Sequence, residues 1–184
     1  MLENLSEGTI FLNATERYNY HGKACPNCSA TGKLVPYGSY LRYLVHRKNG
    51  NNIDSRVAPR RFKCKSCNVT HSLLPDVAVP YSPYSISLML KALIAYFERN
   101  TTVVNICEGF NIAVSTLYEW KKRIASQKDL MLGMLLSRKT PALAFLRGLI
   151  ESDCLSCTLH MFFRKYGSSF MQNRSVTASR NRPP

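Results

Sequence analysis

Three things are scarce in this sequence: long apolar runs, acidic residues and an export signal. The longest apolar stretches, such as residues 86–97, stop well short of the roughly 20 residues that a membrane-spanning helix needs, so we expect no contact with a membrane. Residues 1–22 contain three Glu before a single Arg, with no basic segment followed by an apolar run. This composition lacks the features of a secretory signal, and we therefore expect a cytoplasmic protein.

The scarcity of acidic residues leaves the chain strongly positive. Its 184 residues include 25 Lys and Arg but only 11 Asp and Glu, which gives a formal net charge of +14. A charge of this size attracts polyanions, so nucleic acid is the first partner to consider. The hydrophobic fraction of 45% is sufficient for a folded core.

Four of the seven cysteines form two identical C-x-x-C pairs, Cys25/Cys28 and Cys64/Cys67. One such turn directs two sulfur atoms at the same point, which is half of a tetrahedral zinc site. Two turns complete the site, so we predict one structural Zn²⁺ per chain. Redox-active thiols and unrelated structural cysteines are the alternatives.

The segment between the two cysteine pairs is predicted to be a β-hairpin. Residues 34–47 and 53–63 are rich in Val, Tyr, Leu and Ile, and they flank the turn signal KNGNN at residues 48–52. Such a hairpin would carry the chain away from the metal and back. Residues 23–75 are therefore predicted to form a zinc ribbon, preceded by an N-terminal arm at residues 1–22.

Other potential metal ligands are weaker candidates. His71 follows Cys67 by four residues, but four thiolates already fill a closed structural site, so we interpret it as a polar residue packed beside the ribbon. Cys154 and Cys157, with His160 three residues on, lie in an apolar, helix-like context. We interpret the two cysteines as buried thiols on a helix face, with redox chemistry as the alternative.

A proline-rich connector at residues 76–84 is predicted to separate the ribbon from a helical domain at residues 85–126, because proline resists regular helix. C-terminal helices are expected within residues 127–172, at about 141–152 and 155–166. Residues 173–184 contain three Arg and no acid. This tail is predicted to be disordered.

Three helices are predicted in the helical domain. Ser85 is expected to cap the first, over residues 86–99, and the second begins at Thr102. Asn111 lies in the following turn, where a positive φ is expected, and the third helix spans residues 114–126. Two short helices joined to a polar third helix by a tight turn are typical of a helix-turn-helix. An ordinary helical bundle with a charged surface is the alternative.

The third helix is predicted to have a buried and a DNA-contacting side. Leu117, Trp120 and Ile124 recur at helical spacing and should face the core. The remaining positions are then free to meet base edges and phosphates. The predicted DNA contacts on this helix are Ser115, Thr116, Tyr118, Glu119, Lys121, Lys122 and Arg123.

The predicted hairpin is the most cationic segment of the chain. From residue 17 to residue 65 there are eleven Lys or Arg but only one acid, Asp54. Tyr37, Tyr40 and Tyr43 are interleaved with these cations, and such a surface can bind phosphates and stack on bases. A solvated charged surface is the alternative. The predicted contacts are Arg42, Arg47, Lys48, Arg56, Arg60 and Arg61.

The sequence resembles the N-terminal DNA-binding region of bacterial insertion-sequence transposases and related small uncharacterised proteins of Gram-positive bacteria. The resemblance extends over residues 24–125 and depends on the two cysteine pairs and on the segment ICEGFNIAVSTLYEW at residues 106–120. It implies zinc on the four paired cysteines and DNA contacts from the helix that begins near Ser115. Two positions depart from the pattern. Ala113 replaces the usual Ser or Thr N-cap, and Glu119 stands where Arg is common.

Catalysis is not expected. Such transposases use three carboxylates on a ribonuclease-H-like domain to hold two metal ions. After Trp120 the acidic residues are Asp129, Glu151 and Asp153, and fewer than 65 residues remain. We therefore predict a non-enzymatic protein that binds double-stranded DNA and is associated with a mobile element or with transcription regulation. The alternative is a protein-interaction module that docks on a transposase or on RNA polymerase.

Overall fold

The computed structural model describes residues 19–74, 78–135 and 140–172. Within them the chain is α+β, as predicted, with five strands followed by five helices. We call residues 19–74 the strand region and the remainder the helical region. The predicted N-terminal arm lies mostly, and the predicted tail wholly, outside the described residues. The elements are β1 (Leu34–Ser39), β2 (Arg42–Lys48), β3 (Asn51–Val57), β4 (Arg60–Cys64), β5 (Thr70–Ser72), α1 (Ile86–Glu98), α2 (Val103–Phe110), α3 (Val114–Met134), α4 (Ala142–Glu151) and α5 (Leu155–Tyr166).

The chain between the cysteine pairs turns back on itself in two stages. Strands β2 and β3 pair antiparallel around Asn49 and Gly50, whose φ angles of 50° and 80° suit a two-residue hairpin turn. Strand β4 pairs with both β1 and β5 in a second, three-stranded sheet. At the boundary between the two sheets the β1–β4 register shifts between Pro36 and Ser39, and Pro59, which has no N–H to donate, lies between β3 and β4.

Helix α1 is the centre of the helical region, and α2, α3, α4 and strand β2 all contact it. The Ser85 side chain caps it by accepting a hydrogen bond from the Leu88 N–H, as predicted. Because neighbours surround the helix, its apolar residues are buried on more than one side. They are Ile86, Leu88, Met89, Leu90, Ala92 and Leu93.

Both ends of α2 and the start of α3 agree with the sequence pattern. Thr102 caps α2 through a hydrogen bond from the Asn105 N–H, and Asn111 ends the helix with a φ of 45°. Ala113 precedes α3 and provides no side-chain cap. The connection between the two helices is therefore three residues long, 111–113.

Helix α3 continues to Met134, so its predicted end at residue 126 is wrong. The buried side continues through Met131 and Leu132. Gln127 is buried as well, and its side chain accepts a hydrogen bond from the Met171 N–H at 2.7 Å. These contacts with later parts of the chain hold the extra turns in place.

Even this longest helix is not apolar enough to cross a membrane, and the same is true of every other described helix.

The proline-rich segment joins the two regions closely. Among its described residues, Ala78 and Val79 are buried. The Val45 N–H of β2 donates to the Pro83 carbonyl at 2.7 Å, and the Ser85 N–H donates back to the Val45 carbonyl at 2.9 Å. Strand β2 is thereby fixed beside the first turn of α1, so the predicted connector is a packed part of the fold.

Two C-terminal helices form close to their predicted positions. Gly167 ends α5 with a φ of 66°, a conformation that glycine adopts readily. The prediction of buried thiols on α5 is wrong, because Cys154 and Cys157 are exposed. Leu159 and Phe162 form the buried side of this helix, and the two cysteines lie outside it.

Candidate functional site

The four paired cysteines converge at one end of the strand region. All four sulfur atoms lie within 4.8 Å of one another. Cys25 Sγ is 3.7 Å from Cys67 Sγ, and Cys28 Sγ is 3.7 Å from Cys64 Sγ. These distances far exceed the disulfide length of about 2 Å. The cluster therefore consists of four free thiols that could hold one metal ion.

The two cysteine loops have the same local structure. In the first loop the Ser29 N–H donates to the Cys25 carbonyl at 2.8 Å, and in the second the Asn68 N–H donates to the Cys64 carbonyl at 2.9 Å. Ser29 and Asn68 both have positive φ, 60° and 58°. The repeated turn explains why two identical C-x-x-C spacings present their sulfur atoms to a common centre.

Backbone N–H groups stabilise the ionised form of several of these thiols. The Val69 N–H lowers the pKa of Cys67 to about 6, and the Cys67 N–H lowers the pKa of Cys64. The Ala30 N–H acts in the same direction on Cys28, but desolvation and the neighbouring thiols outweigh it and raise that pKa to about 12. A metal ion needs thiolates, so its binding must release the protons that remain.

His71 lies directly beside the cluster. Its Nε2 atom is 3.2 Å from Cys25 Sγ, and burial lowers the pKa of its imidazole. His71 is part of β5, and the sequence pattern does not predict its contact with Cys25. It arises because β5 pairs with β4 and places His71 opposite Phe62, a pairing that the cysteine spacing does not show.

The first turns of α3 have the two sides that the sequence predicted. Leu117, Trp120 and Ile124 are buried in the helical core. Thr116 is half-buried. The exposed predicted contacts on this helix are Ser115, Tyr118, Glu119 and Lys122.

Two predicted contacts on α3 have internal partners instead. Lys121 Nζ donates to the Tyr96 hydroxyl at 2.8 Å, and it lies near the faces of the Tyr96 and Tyr118 rings. Arg123 donates to the Met171 carbonyl at 3.3 Å and is half-buried. Both cations hold α3 against its neighbours, which corrects their predicted place on the outward surface.

The β2–β3 hairpin is fixed against the C-terminal end of α2. Arg47 donates to the Gly109 carbonyl at 2.7 Å, and its guanidinium lies 4.1 Å from the centroid of the Phe110 ring. Asn52 on the opposite strand donates to the Phe110 carbonyl. Arg42 is likewise bonded to carbonyls of the proline-rich segment. Arg42 and Arg47 are thus structural, and the hairpin tip lies beside the turn before α3.

A family model described as Domain of unknown function (DUF6431) matches residues 25–120, just over half of the chain. The chain belongs to the DUF6431 family. No curated protein and no solved structure matches it. The matched region begins at Cys25 and ends at Trp120, so it contains the cysteine cluster, the hairpin and the start of α3.

The DUF6431 region also presents cations that are directed away from its interior. Lys48 at the hairpin tip and Arg56 on β3 are exposed, and Arg60 and Arg61 are half-buried. The guanidinium groups of these three arginines each lie 5.5 to 5.9 Å from an aromatic ring centroid. Cation–π contacts of this kind hold long side chains in place, which leaves an ordered basic surface.

Proposed function

We propose that this protein binds double-stranded DNA and does not act on it chemically. In this proposal residues 23–75 are a zinc ribbon, and α2 and α3 are a helix-turn-helix whose second helix enters the major groove. The single observation that carries the proposal is the docking of the basic hairpin beside the turn before α3. This docking puts the hairpin tip, which carries the exposed Lys48, next to the turn that precedes the exposed start of α3.

The sulfur geometry supports zinc as the metal. A tetrahedral site with Zn–S bonds of about 2.3 Å has sulfur atoms about 3.8 Å apart. The two cross-loop distances of 3.7 Å fit that value. Cysteine thiolates are ligands that zinc prefers, and four of them make a closed site whose role is structural.

The arrangement of α2 and α3 supports DNA recognition. In a helix-turn-helix, the N-terminal residues of the second helix contact base edges. Ser115 and Tyr118 are exposed near the start of α3, while Trp120 anchors the same turns in the core. Lys122 is exposed on the same helix and is suited to a phosphate. Glu119 disfavours nearby phosphates and is therefore better placed toward a base.

Binding-site selection from random duplexes tests the recognition half of the proposal. We expect an enriched sequence, and we expect Ser115→Ala with Tyr118→Ala to reduce discrimination by about 1–3 kcal/mol per lost base contact. Affinity for random duplex should change much less. Equal losses on specific and random DNA would contradict a base-reading role for α3.

Salt titrations test the backbone half. Arg60→Ala with Arg61→Ala should weaken binding to all duplexes and reduce the salt slope by up to about two, because each phosphate contact contributes about one. Lys165→Ala is the control, since it removes an exposed charge from α5, which packs near Leu130 at the far end of α3. If the selection enriches no sequence and binding does not depend on salt, docking on a transposase or on RNA polymerase becomes the better explanation.

A further inference from the structure

A groove lined by tyrosines lies where the hairpin passes the proline-rich segment. It is a shallow depression of about 380 Å³ that is open to solvent. Three of its rings are exposed, and Tyr81 is 81% exposed. The duplex-binding surface at α3 does not include this groove. Its lining residues are Tyr40, Arg42, Tyr43, Tyr81, Ser82 and Pro83.

The wall of the groove is already formed without a ligand. The Arg42 guanidinium donates to the Val79 carbonyl at 3.2 Å and to the Ser82 carbonyl. Ser82 is buried, and its hydroxyl accepts a hydrogen bond from the Tyr84 N–H at 3.2 Å. These bonds fix the backbone on both sides of Tyr81, so a ligand would meet a rigid surface.

Tyr81 adopts a backbone conformation that tyrosine disfavours. Its φ is 61°, in the left-handed region where residues other than Gly, Asn and Asp are uncommon. The side chain gains little burial in return, since most of it faces solvent. Strain of this kind tends to persist at binding sites. The fixed wall therefore holds an aromatic ring outward beside Tyr40 and Tyr43.

The charge around the groove favours an anionic ligand. The guanidinium of Arg56 lies 5.6 Å from the centroid of the Tyr43 ring. Asp54 is the only acidic residue among residues 19–74. Aromatic rings within a cationic surface are the combination that binds unpaired nucleic-acid strands, where bases stack and phosphates meet cations.

We propose that the Tyr40–Tyr43–Tyr81 groove binds unpaired bases of a single-stranded nucleic acid. The proposal extends the proposed DNA-binding function, because it adds a single-strand site to a duplex-binding surface. A duplex keeps its bases stacked inside, so only a melted or single-stranded segment can place a base against these rings. The two surfaces can therefore be tested separately.

The test uses the zinc-loaded full chain and a fluorescently labelled 12-nucleotide oligothymidylate, with anisotropy as the readout. Tyr81→Asn removes the ring but retains a residue that tolerates positive φ, so the fold should be preserved. We expect binding about tenfold weaker, since one stacked base contributes that much or more. Tyr81→Phe retains the stacking surface and should bind within about twofold of the original chain.

Two controls separate stacking from charge. Phe163→Ala removes an exposed aromatic ring of α5 that lies outside the groove and should change affinity by less than about twofold, because only stacked rings contribute. An abasic strand of the same length carries the phosphates without bases and should bind about as weakly as the Tyr81→Asn variant does. Equal binding of the abasic and thymine strands, or equal losses in Phe163→Ala and Tyr81→Asn, would overturn the proposal.

The outcomes also distinguish this site from the α3 surface. Tyr81→Asn should leave duplex binding unchanged, and the Ser115→Ala/Tyr118→Ala variant should leave oligothymidylate binding unchanged. If the chain binds no duplex, the proposed function fails while the single-strand measurement still decides the groove. A proline-rich peptide that displaces the strand, with binding lost in Tyr81→Asn and insensitive to salt, would reassign the groove to peptides.

Discussion

The strand region and the helical region differ in what lies at their centres. Near the hairpin the buried apolar cluster consists of Leu44, Val57 and Ala78, whereas the described part of the helical region has a cluster of 22 buried residues that include Trp120 and Phe162. At about 25 cal/mol per Å² of buried apolar surface, a cluster of three aliphatic side chains offsets little of the conformational entropy lost on folding. The cysteine cluster lies in the region with the smaller core, where metal ligation can supply the missing stability.

Loss of the metal site should have the largest effect and should separate the two regions. The Cys25→Ser/Cys64→Ser variant lacks two of the four candidate metal ligands. Zinc binding contributes about 10–16 kcal/mol to the folding of zinc-finger peptides. We therefore expect the amide hydrogen exchange of residues 19–74 to accelerate strongly, while α1 and the buried part of α3 remain protected. Metal analysis should fall from about one zinc per chain to none.

Cys154→Ser/Cys157→Ser is the matched control, because it removes two exposed thiols from outside the cluster. Its zinc content and its exchange pattern should equal those of the original chain. Zinc retained after loss of Cys25 and Cys64 would contradict the assignment of the site. Simultaneous unfolding of the helices would show that the two regions form one cooperative unit.

Truncation at the centre of the helical core should have the next largest effect. Trp120 is 2% exposed and meets the Tyr84 ring edge-on at 5.1 Å between centroids. Trp120→Ala should reduce the free energy of unfolding by about 3–5 kcal/mol, measured by urea denaturation followed by circular dichroism at 222 nm. Trp120→Phe should reduce the free energy of unfolding by less, because it leaves a smaller cavity. A loss below about 1 kcal/mol for the alanine variant would mean that the core lies elsewhere.

The turns and helix caps that depend on residues adjacent in sequence could be predicted. A C-x-x-C turn, a Ser or Thr N-cap and an Asn with positive φ each depend on a few adjacent residues. The cap at Ser85, the start of α2 next to Thr102 and the turn at Asn111 therefore lie where the pattern indicated. The convergence of four cysteines followed from the same reasoning, because two equal turns and a returning hairpin leave few other arrangements.

The parts that depend on distant contacts could not be predicted. Helix α3 passes residue 126 because Gln127 bonds to Met171, far along the chain. The sequence predicts a DNA contact for Arg47 because its positive charge is visible there, whereas its partner, the Gly109 carbonyl, is not. Cys154 and Cys157 are exposed because α5 packs through Leu159 and Phe162 instead. In each case contacts between residues that are distant in sequence decide between roles that the local pattern allows equally.

The joint between the two regions should be weaker than either interior. Arg47→Ala removes a hydrogen bond to the Gly109 carbonyl and a cation–π contact with Phe110, which we expect to cost about 1–2 kcal/mol. Amides of β2 and β3 should exchange faster, while the cysteine loops stay protected by the metal. Lys48→Ala, at an adjacent exposed position, should change stability by less than about 0.5 kcal/mol. Equal effects of the two variants would mean that Arg47 does not hold the hairpin.

The smallest effect should come from adding the cap that α3 lacks. Ala113 has φ −71° and ψ 149°, the extended conformation of an N-cap residue, but its side chain makes no capping hydrogen bond. The position is exposed, so Ser fits without repacking and its hydroxyl can accept from an unpaired N–H in the first turn of α3. Ala113→Ser should stabilise the helical region by about 0.5–1 kcal/mol, or about 2–4 °C in Tm. Ser85→Ala and Thr102→Ala, which remove existing caps, should shift Tm by similar amounts in the opposite direction. If all three substitutions leave Tm unchanged while Trp120→Ala lowers it, helix ends contribute little and the buried core alone determines the stability of this region.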